Sequence, residues 1–240
     1  MNTELKVNVG SDTLTVLQGN ALPLKEPQKI SLAGNIDAPA DYLKQRYVDG
    51  MKGKGFQQVD KEKALVEVDK DSNTLTLKLD PENFYGPVIT GKLEDSTELK
   101  KYCINQGTEF TREELIKLFR MNKVDFNDTA KAEDLVRAFQ KFSVKGYVDL
   151  VKEDDTRGNF KSSIEKRVET GLPEYFVLNV PIYKGQPEKA FRVDICLELT
   201  GSSVSFWFES TELAELRVTH KDEIFTKQLE ACKDFPIIHK

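Results

Sequence analysis

A run of alternating apolar and polar residues near the carboxyl end constrains the fold most strongly. From Phe191 to Leu199 every second residue is apolar, and polar residues or cysteine stand between them. This period of two is typical of a strand with one buried face. Turn residues follow at 200–203, and the alternation resumes over 204–208. With the apolar run at 176–183 before it, the stretch 172–210 predicts three strands of an antiparallel sheet.

A second group of strands is indicated earlier in the chain. Apolar residues alternate over 64–68, turn residues follow at 70–73, and the alternation returns over 75–79. The run from Tyr85 to Leu93 supplies a third strand, so these segments predict an antiparallel meander. Short additional strands are expected around Ile30 and Leu32, over 144–151, and in the closing Phe235–His239 segment.

Four helices are predicted between and after these strands. Asp37 or Ala38 lies near the N-cap of the first, with Pro39 in its first turn. Thr111 and Glu114 form a capping box that opens the second, and the third runs from Thr129 to Phe142. Thr211 is expected to cap a long last helix that reaches about residue 233. The apolar positions expected to be buried on that helix are Leu213, Leu216, Ile224 and Ala231.

The predicted fold class is α+β, with antiparallel β-meanders, a central helical pair and a long C-terminal helix packed on the sheet. Three segments are expected: an N-terminal hairpin and linker over 1–27, the first meander and the helical pair over 28–143, and the C-terminal sheet with its covering helix over 144–240. The second and third segments either stand apart or form one domain. Whether the two meanders share one sheet is left open.

Composition excludes several functional classes. A net charge of −5 argues against a general nucleic-acid or membrane-surface binder, because a broad basic face is needed to displace phosphate counterions. The three cysteines are far apart in sequence, so they indicate neither a disulfide framework nor a zinc site. The chain shows no apolar run long enough for a membrane span and no signal peptide. A cytoplasmic protein is therefore expected.

Catalytic and metal-binding patterns are weak. The two histidines, His220 and His239, are too few for a histidine metal cluster or a Ser-His-Asp triad. Residues 69–80 resemble a degraded calcium loop, but Thr74 stands where glycine is required, and a hairpin turn explains them better. The glycine-rich basic run at 50–55 follows a helix, so it is interpreted as a helix exit, not a phosphate cradle. No cofactor, metal or enzymatic activity is predicted.

Two further features bear on binding. The connection between the helices of the pair is longer than a helix-turn-helix allows, and basic side chains on both helices are offset by acidic ones. A packed helical hairpin is therefore expected. Trp207 lies on the opposite face of its strand from Phe206 and Phe208, beside Ser205 and Glu209. An aromatic on the polar face marks either a contact surface or a site covered by a helix of the other lobe.

The ordered set LPEYFVLNVPIYKG, FRVDICLELTGSSVSFWFES, a long helix and FPIIHK resembles the C-terminal part of the uncharacterised phage and prophage proteins typified by YfdQ. The similar features are the run from Pro173 to Gly185, an arginine-bearing strand around Arg192, and a strand with Ser205 and Trp207. This resemblance covers about residues 145–240 and implies a phage or prophage origin. It transfers no catalytic residue.

The sequence therefore predicts a non-enzymatic cytoplasmic protein that binds a macromolecular partner, as a replication accessory or a counter-defence factor. A protein partner is favoured. One alternative is single-stranded nucleic-acid or nucleotide binding, with Trp207 or Tyr85 as stacking platforms beside basic residues. A further alternative is a structural or virion-associated homo-oligomer, and a metal-dependent hydrolase ranks last. The candidate binding residues are Trp207, Tyr85, Lys52, Lys54, Lys61 and Arg192.

Overall fold

The structure is a computed structural model, and it describes residues 29–45, 59–143, 171–200 and 203–240. The hairpin and linker predicted over 1–27, the glycine-rich run at 50–55 and the strand predicted over 144–151 lie outside these residues. In chain order the described elements are β1 (Ser31–Asn35), α1 (Ala38–Leu43), β2 (Ala64–Asp69), β3 (Thr74–Leu79), β4 (Val88–Lys92), α2 (Thr97–Lys100), α3 (Arg112–Met121), a 3-10 turn (Lys123–Asp125), α4 (Thr129–Lys141), β5 (Tyr175–Pro181), β6 (Glu188–Thr200), β7 (Ser203–Glu209), α5 (Thr211–Ala231) and β8 (Ile237–His239).

Strands β2, β3 and β4 form the predicted antiparallel meander, which is confirmed. Val66 and Leu77 face each other across the first pair, and both are fully buried. In the turn between them, the Asp69 carboxylate accepts hydrogen bonds from two backbone amides, each at 3.0 Å. Asn73 then takes a φ of 58°, a left-handed conformation that asparagine tolerates. Local turn chemistry therefore fixes the register of this hairpin.

Two parallel strands complete this five-stranded sheet, whose order is β1-β4-β3-β2-β8. β1 pairs with β4 and β8 pairs with β2. Helix α1 and the residues just before it lie close over β4. A Cβ atom at Gly91 would come within 2.6 Å of the Ile36 carbonyl oxygen and 2.8 Å of the Pro39 ring. Only glycine at this position allows so close an approach.

The predicted C-terminal hairpin and its preceding strand form a separate three-stranded antiparallel sheet, in the order β5-β6-β7. Alternate residues of its strands face the core, including Phe176, Phe191 and Phe208, which are at most 5% exposed. The question left open by the sequence is thus answered, since the two meanders belong to two sheets.

The helical pair α3 and α4 packs on the inner face of the three-stranded sheet. The ring centroid of Phe119 lies 5.2 Å from that of Phe176 and 6.0 Å from that of Phe208. On α4, the Phe139 ring lies 5.7 Å from Phe119 and 5.3 Å from Phe206, mostly in the edge-on or tilted geometries that aromatic pairs prefer. The capping box of Thr111 and Glu114 is present. The predicted helical hairpin is confirmed.

Main-chain hydrogen bonds join the two sheets. The segment after β4 runs beside the segment after β5, where the Ser96 amide donates to the Ile182 carbonyl at 3.0 Å. The Lys184 amide donates to the Glu94 carbonyl at 2.8 Å. The buried apolar side chains of both sheets and the helices belong to one continuous core cluster. The regions 28–143 and 144–240 therefore share a core in their described parts.

Helix α5 matches the predicted C-terminal helix, with two corrections. Its N-cap is Ser210, not Thr211, because the Ser210 hydroxyl accepts from the Leu213 amide at 3.0 Å and donates to the Arg192 carbonyl. Ala231 was expected to be buried but is exposed. The buried stripe in this part of the helix recurs every four residues at 224, 228 and 232, and residue 231 lies beside that stripe.

Helix α5 contacts both sheets along its length. The Arg217 guanidinium pairs with Asp95 at 2.7 Å, in the segment that joins the sheets. Further along, Asp222 accepts from Lys70 at 2.8 Å in the β2–β3 turn. Among the described residues, no helix has the length and apolar character needed to cross a membrane.

Candidate functional site on the outer sheet face

The outer face of the three-stranded sheet carries the side chains that alternate with the buried ones. We use the term outer face for the described residues Tyr175, Val177, Asn179, Arg192, Asp194, Cys196, Glu198, Ser205, Trp207 and Glu209. The strand register places Tyr175 opposite Asp194, which in turn lies opposite Glu209. Cys196 lies opposite Trp207. Aromatic, cationic and acidic groups therefore meet on one surface.

Arg192 and Tyr175 form a cation–π pair on the outer face. The guanidinium carbon lies 4.0 Å from the centre of the Tyr175 ring, which is the geometry of a cation–π contact. The Arg192 Nε donates to Asp194 at 2.7 Å, and this hydrogen bond raises the pKa of the guanidinium above its ordinary value. The backbone amide of Arg192 donates to Glu212 of α5 at 2.7 Å. Both ends of Arg192 are thus held in place.

Trp207 lies on the outer face, as the alternation predicted. Its indole Nε1 donates to the Glu209 carboxylate at 2.8 Å, and its side chain is half-buried. The rings of Phe206 and Phe208, on either side of it in sequence, contact the helical pair on the opposite face. The Trp207 indole therefore lies on the sheet face opposite to α3 and α4, and its hydrogen bond to Glu209 orients it there.

The described part of the outer face is acidic. Asp194, Glu198 and Glu209 project from β6 and β7, and Arg192 is the cation among the outer-face residues. An acidic surface repels nucleic-acid phosphates and attracts basic groups. This charge pattern agrees in sign with the net charge of −5.

The structure places the other predicted binding residues elsewhere. Tyr85 lies in the β3–β4 connection, 43% exposed, with its ring 5.2 Å from that of Phe84. Lys61 precedes β2 and pairs with Asp234 at 3.2 Å. Both residues belong to the five-stranded sheet and its connections, whereas Trp207 and Arg192 belong to the other sheet. Lys52 and Lys54 lie outside the described residues.

Comparison with known proteins places the chain in a family. A family model described as uncharacterised conserved protein (DUF2303) matches residues 16–237. The chain belongs to the DUF2303 family. This match extends well beyond the resemblance noted over residues 145–240. No curated protein and no solved structure matches the chain.

Some notable side chains of this DUF2303 protein carry no strong signal in the sequence. Tyr175 is an example, because it becomes a partner of Arg192 only through the register of β5 against β6. Another is His220, which is only 6% exposed and stacks on Tyr183 with ring centroids 6.1 Å apart. The Nδ1 of His220 lies 3.2 Å from Glu223, and its Nε2 has no hydrogen-bond partner.

Within the described residues, no group of three or more histidine, cysteine, aspartate or glutamate side chains is arranged to hold a metal ion. The Asp69 carboxylate of the calcium-like run accepts backbone hydrogen bonds within the β2–β3 turn. That contact supports the hairpin-turn interpretation of the run.

Proposed function

We propose that this protein acts by binding a protein partner through the outer face of the three-stranded sheet. The observation that carries the proposal is the cluster of Tyr175, Arg192 and Trp207 on one sheet surface, each held by a hydrogen bond or a ring contact. Tryptophan, tyrosine and arginine are the residues most enriched among those that dominate the affinity of protein interfaces.

Preorganisation supports this role. A side chain that is already held in one conformation loses little entropy when a partner binds. The Arg192 guanidinium is fixed between Tyr175 and Asp194, and the Trp207 indole is fixed by Glu209. These contacts reduce the conformational entropy that the three side chains would lose when a partner covers them.

Charge supports a basic partner surface. The acidic groups Asp194, Glu198 and Glu209 surround the aromatic cluster on the described outer face. A basic segment of another protein would find opposite charges around an aromatic centre, an arrangement that speeds association and excludes acidic competitors. A nucleic-acid backbone would meet repulsion on the same surface.

The resemblance to YfdQ-type proteins supports a phage or prophage origin within this proposal. Such a protein would act in the cytoplasm of the bacterial host, as a replication accessory or a counter-defence factor, without an enzymatic step. A homo-oligomer is a further alternative, and light scattering of the purified protein distinguishes it from a monomeric binder by mass.

The test is affinity purification from host cells with quantitative mass spectrometry. The full chain is compared with Tyr175→Ala, Trp207→Ala and, as a matched control, Tyr85→Ala. Tyr85 is an exposed tyrosine of the other sheet, 43% exposed against 47% for Tyr175. We expect one or more proteins to be captured by the unmodified chain and by Tyr85→Ala, and to be lost with both outer-face variants. Capture that is unaffected by both outer-face variants would reject the proposal.

Single-stranded nucleic-acid binding is the second candidate, and a different patch favours it. Phe84 is 74% exposed, lies edge-on to Tyr85, and has the ammonium nitrogen of Lys29 located 5.8 Å from its ring centre. Exposed rings beside a cation are the usual platform for stacking bases. Fluorescence anisotropy with a labelled oligothymidine at low salt tests it. Salt-sensitive binding that Phe84→Ala abolishes would support it, and an unchanged anisotropy would reject it.

A further inference from the structure

Strand β5 forms one edge of the three-stranded sheet. In an antiparallel pair, alternate residues direct their main-chain groups toward the neighbouring strand and away from it. The Ile195 amide donates to the Glu174 carbonyl at 2.8 Å, and this bond sets the alternation for the whole of β5. The even-numbered residues of β5 therefore bond to β6. The N–H and C=O groups of Tyr175, Val177 and Asn179 point away from β6, toward the edge of the sheet.

The described part of the chain supplies no hydrogen-bond partner for these outward main-chain groups. The opposite edge of the sheet differs, because Phe206 of β7 exchanges two main-chain hydrogen bonds with Phe110, at 2.7 and 3.0 Å. The carboxyl end of β5 is also closed, since the Ser96 hydroxyl donates to the Pro181 carbonyl and proline has no N–H. The open edge is thus limited to residues 175–179. Unpaired groups along a strand edge are a template for another strand.

A groove of about 800 Å³ lies beside the amino-terminal part of this open edge, between β5 and helix α4. Residues 171–177 line it on the strand side, and Leu135 and Ala138 line it on the helix side. Its floor is apolar, because Leu135, Phe126 and Phe176 present only small exposed surfaces and are at most 5% exposed. The groove therefore has room for apolar side chains that project from a strand placed next to β5.

The charges around the open edge favour a basic strand. Glu174 lines the groove and is exposed, and Glu188 accepts from the neutral side-chain amide of Asn179 at 2.7 Å. On the next strand, Asp194 pairs with Arg192 at 2.7 Å, so these two charges offset each other. The charged side chains that α4 places in the groove are one of each sign, Lys131 and Asp134. Acidic groups therefore exceed basic ones at this edge, and they attract a segment of positive charge.

We propose that an extended segment of the partner protein, with basic and apolar residues in alternation, adds to β5 as a fourth strand. This inference rests on the proposed function, because the added strand continues the outer face next to Tyr175. Its main chain bonds to the outward groups of residues 175–179, its apolar side chains enter the groove beside α4, and its basic side chains lie on the outer face. A helical segment does not fit this role, since its main-chain groups already bond to each other.

The test is amide hydrogen exchange, measured by NMR on the isotope-labelled full chain. The probe is a heptapeptide with blocked ends in which lysine and valine alternate, and its control has the same composition with the four lysines before the three valines. In the free chain, the amides of Tyr175, Val177 and Asn179 should exchange faster than those of the even-numbered residues between them. At about 90% saturation, the alternating peptide should slow the exchange of these three amides about tenfold. No slowing, or equal slowing by the control peptide, would overturn the proposal.

Two variants test the edge and the groove separately. Val177→Pro removes one outward N–H and no bond to β6, so it should weaken peptide binding about tenfold, whereas the matched control Val177→Ala keeps that N–H and should bind more tightly than Val177→Pro. Ala138→Gln leaves β5 unchanged, fills part of the groove and should also weaken binding. Unchanged affinity in both Val177→Pro and Ala138→Gln would refute the assignment. Capture of host proteins that depends on Tyr175 and Trp207, without protection of the edge amides by the peptide, would overturn this inference alone and leave the proposed function standing.

Discussion

The buried pair formed by Tyr102 and Asp125 provides a quantitative test of the packing between the segment after α2 and the 3-10 turn. The Tyr102 hydroxyl donates to the Asp125 carboxylate at 2.9 Å, and the two residues are 0% and 5% exposed. Burial raises the pKa of Tyr102, so the hydroxyl keeps its proton and remains a donor. Lys101 lies 3.4 Å from the same carboxylate oxygen and is one-third exposed.

Tyr102→Phe keeps the ring and removes only the hydroxyl, so it creates almost no cavity. Among the described residues, the buried Asp125 carboxylate then keeps the longer contact with Lys101 as its side-chain partner. A hydrogen bond to a charged group contributes about 1.5–3 kcal/mol, so we expect the free energy of unfolding to fall by about 2 kcal/mol. With an m-value of about 3 kcal/mol/M, the urea midpoint should move down by about 0.7 M.

Urea unfolding followed by circular dichroism measures this change. Tyr85→Phe is the matched control, because Tyr85 is 43% exposed and should change the free energy of unfolding by less than about 0.5 kcal/mol. Lys101→Met should destabilise less than Tyr102→Phe, since its contact is longer and partly screened by water. A free energy of unfolding for Tyr102→Phe within about 0.5 kcal/mol of that of the unmodified chain, or a larger loss in Lys101→Met than in Tyr102→Phe, would refute this expectation.

Three further predictions concern a helix cap, a thiol and a carboxylate. Ser210→Ala should lower the free energy of unfolding by about 1 kcal/mol, because it removes the N-cap of α5. Thr211→Ala should lower it less, and thermal unfolding of the two variants makes the comparison. Burial raises the pKa of Cys232 from 9.0 to about 11, so the stability that this thiol contributes is complete below pH 9 and is lost as pH rises towards 11. Alkylation of Cys232 by iodoacetamide should require unfolding, and mass spectrometry measures it. Hydrogen bonds from Lys240 and then Lys78 lower the pKa of Glu67 below 4.5, so the stability that this carboxylate contributes is present above pH 4.5 and is lost in acid. Glu67→Gln should therefore reduce the fall in the free energy of unfolding below pH 4.5.

The sequence predicts the parts of the fold that depend on near neighbours. The meander over β2 and β3 follows from the alternation at 64–79 and from the Asp69 turn, all within one short stretch. The capping box of Thr111 and Glu114 is likewise local. These elements lie where propensity, periodicity and turn chemistry agree.

Pairings between distant segments could not be predicted in the same way. Nothing in the short runs 31–35 and 237–239 indicates that they pair in parallel with β4 and β2. The N-cap of α5 is a related case, because Ser210 and Thr211 both carry the required hydroxyl. The choice depends on the contact of Ser210 with Arg192, on another strand.

The candidate site was predictable only in part. Alternation correctly placed Trp207 on the polar face of its strand, and the arginine at 192 was singled out by the family resemblance. The cation–π contact with Tyr175 depends on strand register, which the sequence does not determine here. Contacts outside this site show the same limit, because the Asp37 carboxylate accepts from Gln186 and Gln228, about 150 and 190 residues away in the chain, and no local pattern marks such contacts.

The parallel pairing of β8 with β2 has a consequence for synthesis on the ribosome. Val66 pairs with Ile237, so about 170 residues must be added after β2 before its outer edge finds this partner. At elongation rates of about 5–20 residues per second, that edge stays open for roughly 10–30 s. An open strand edge can pair with other chains. During that interval the open edge of the nascent polypeptide is free to pair with other chains unless a later segment of the same chain covers it.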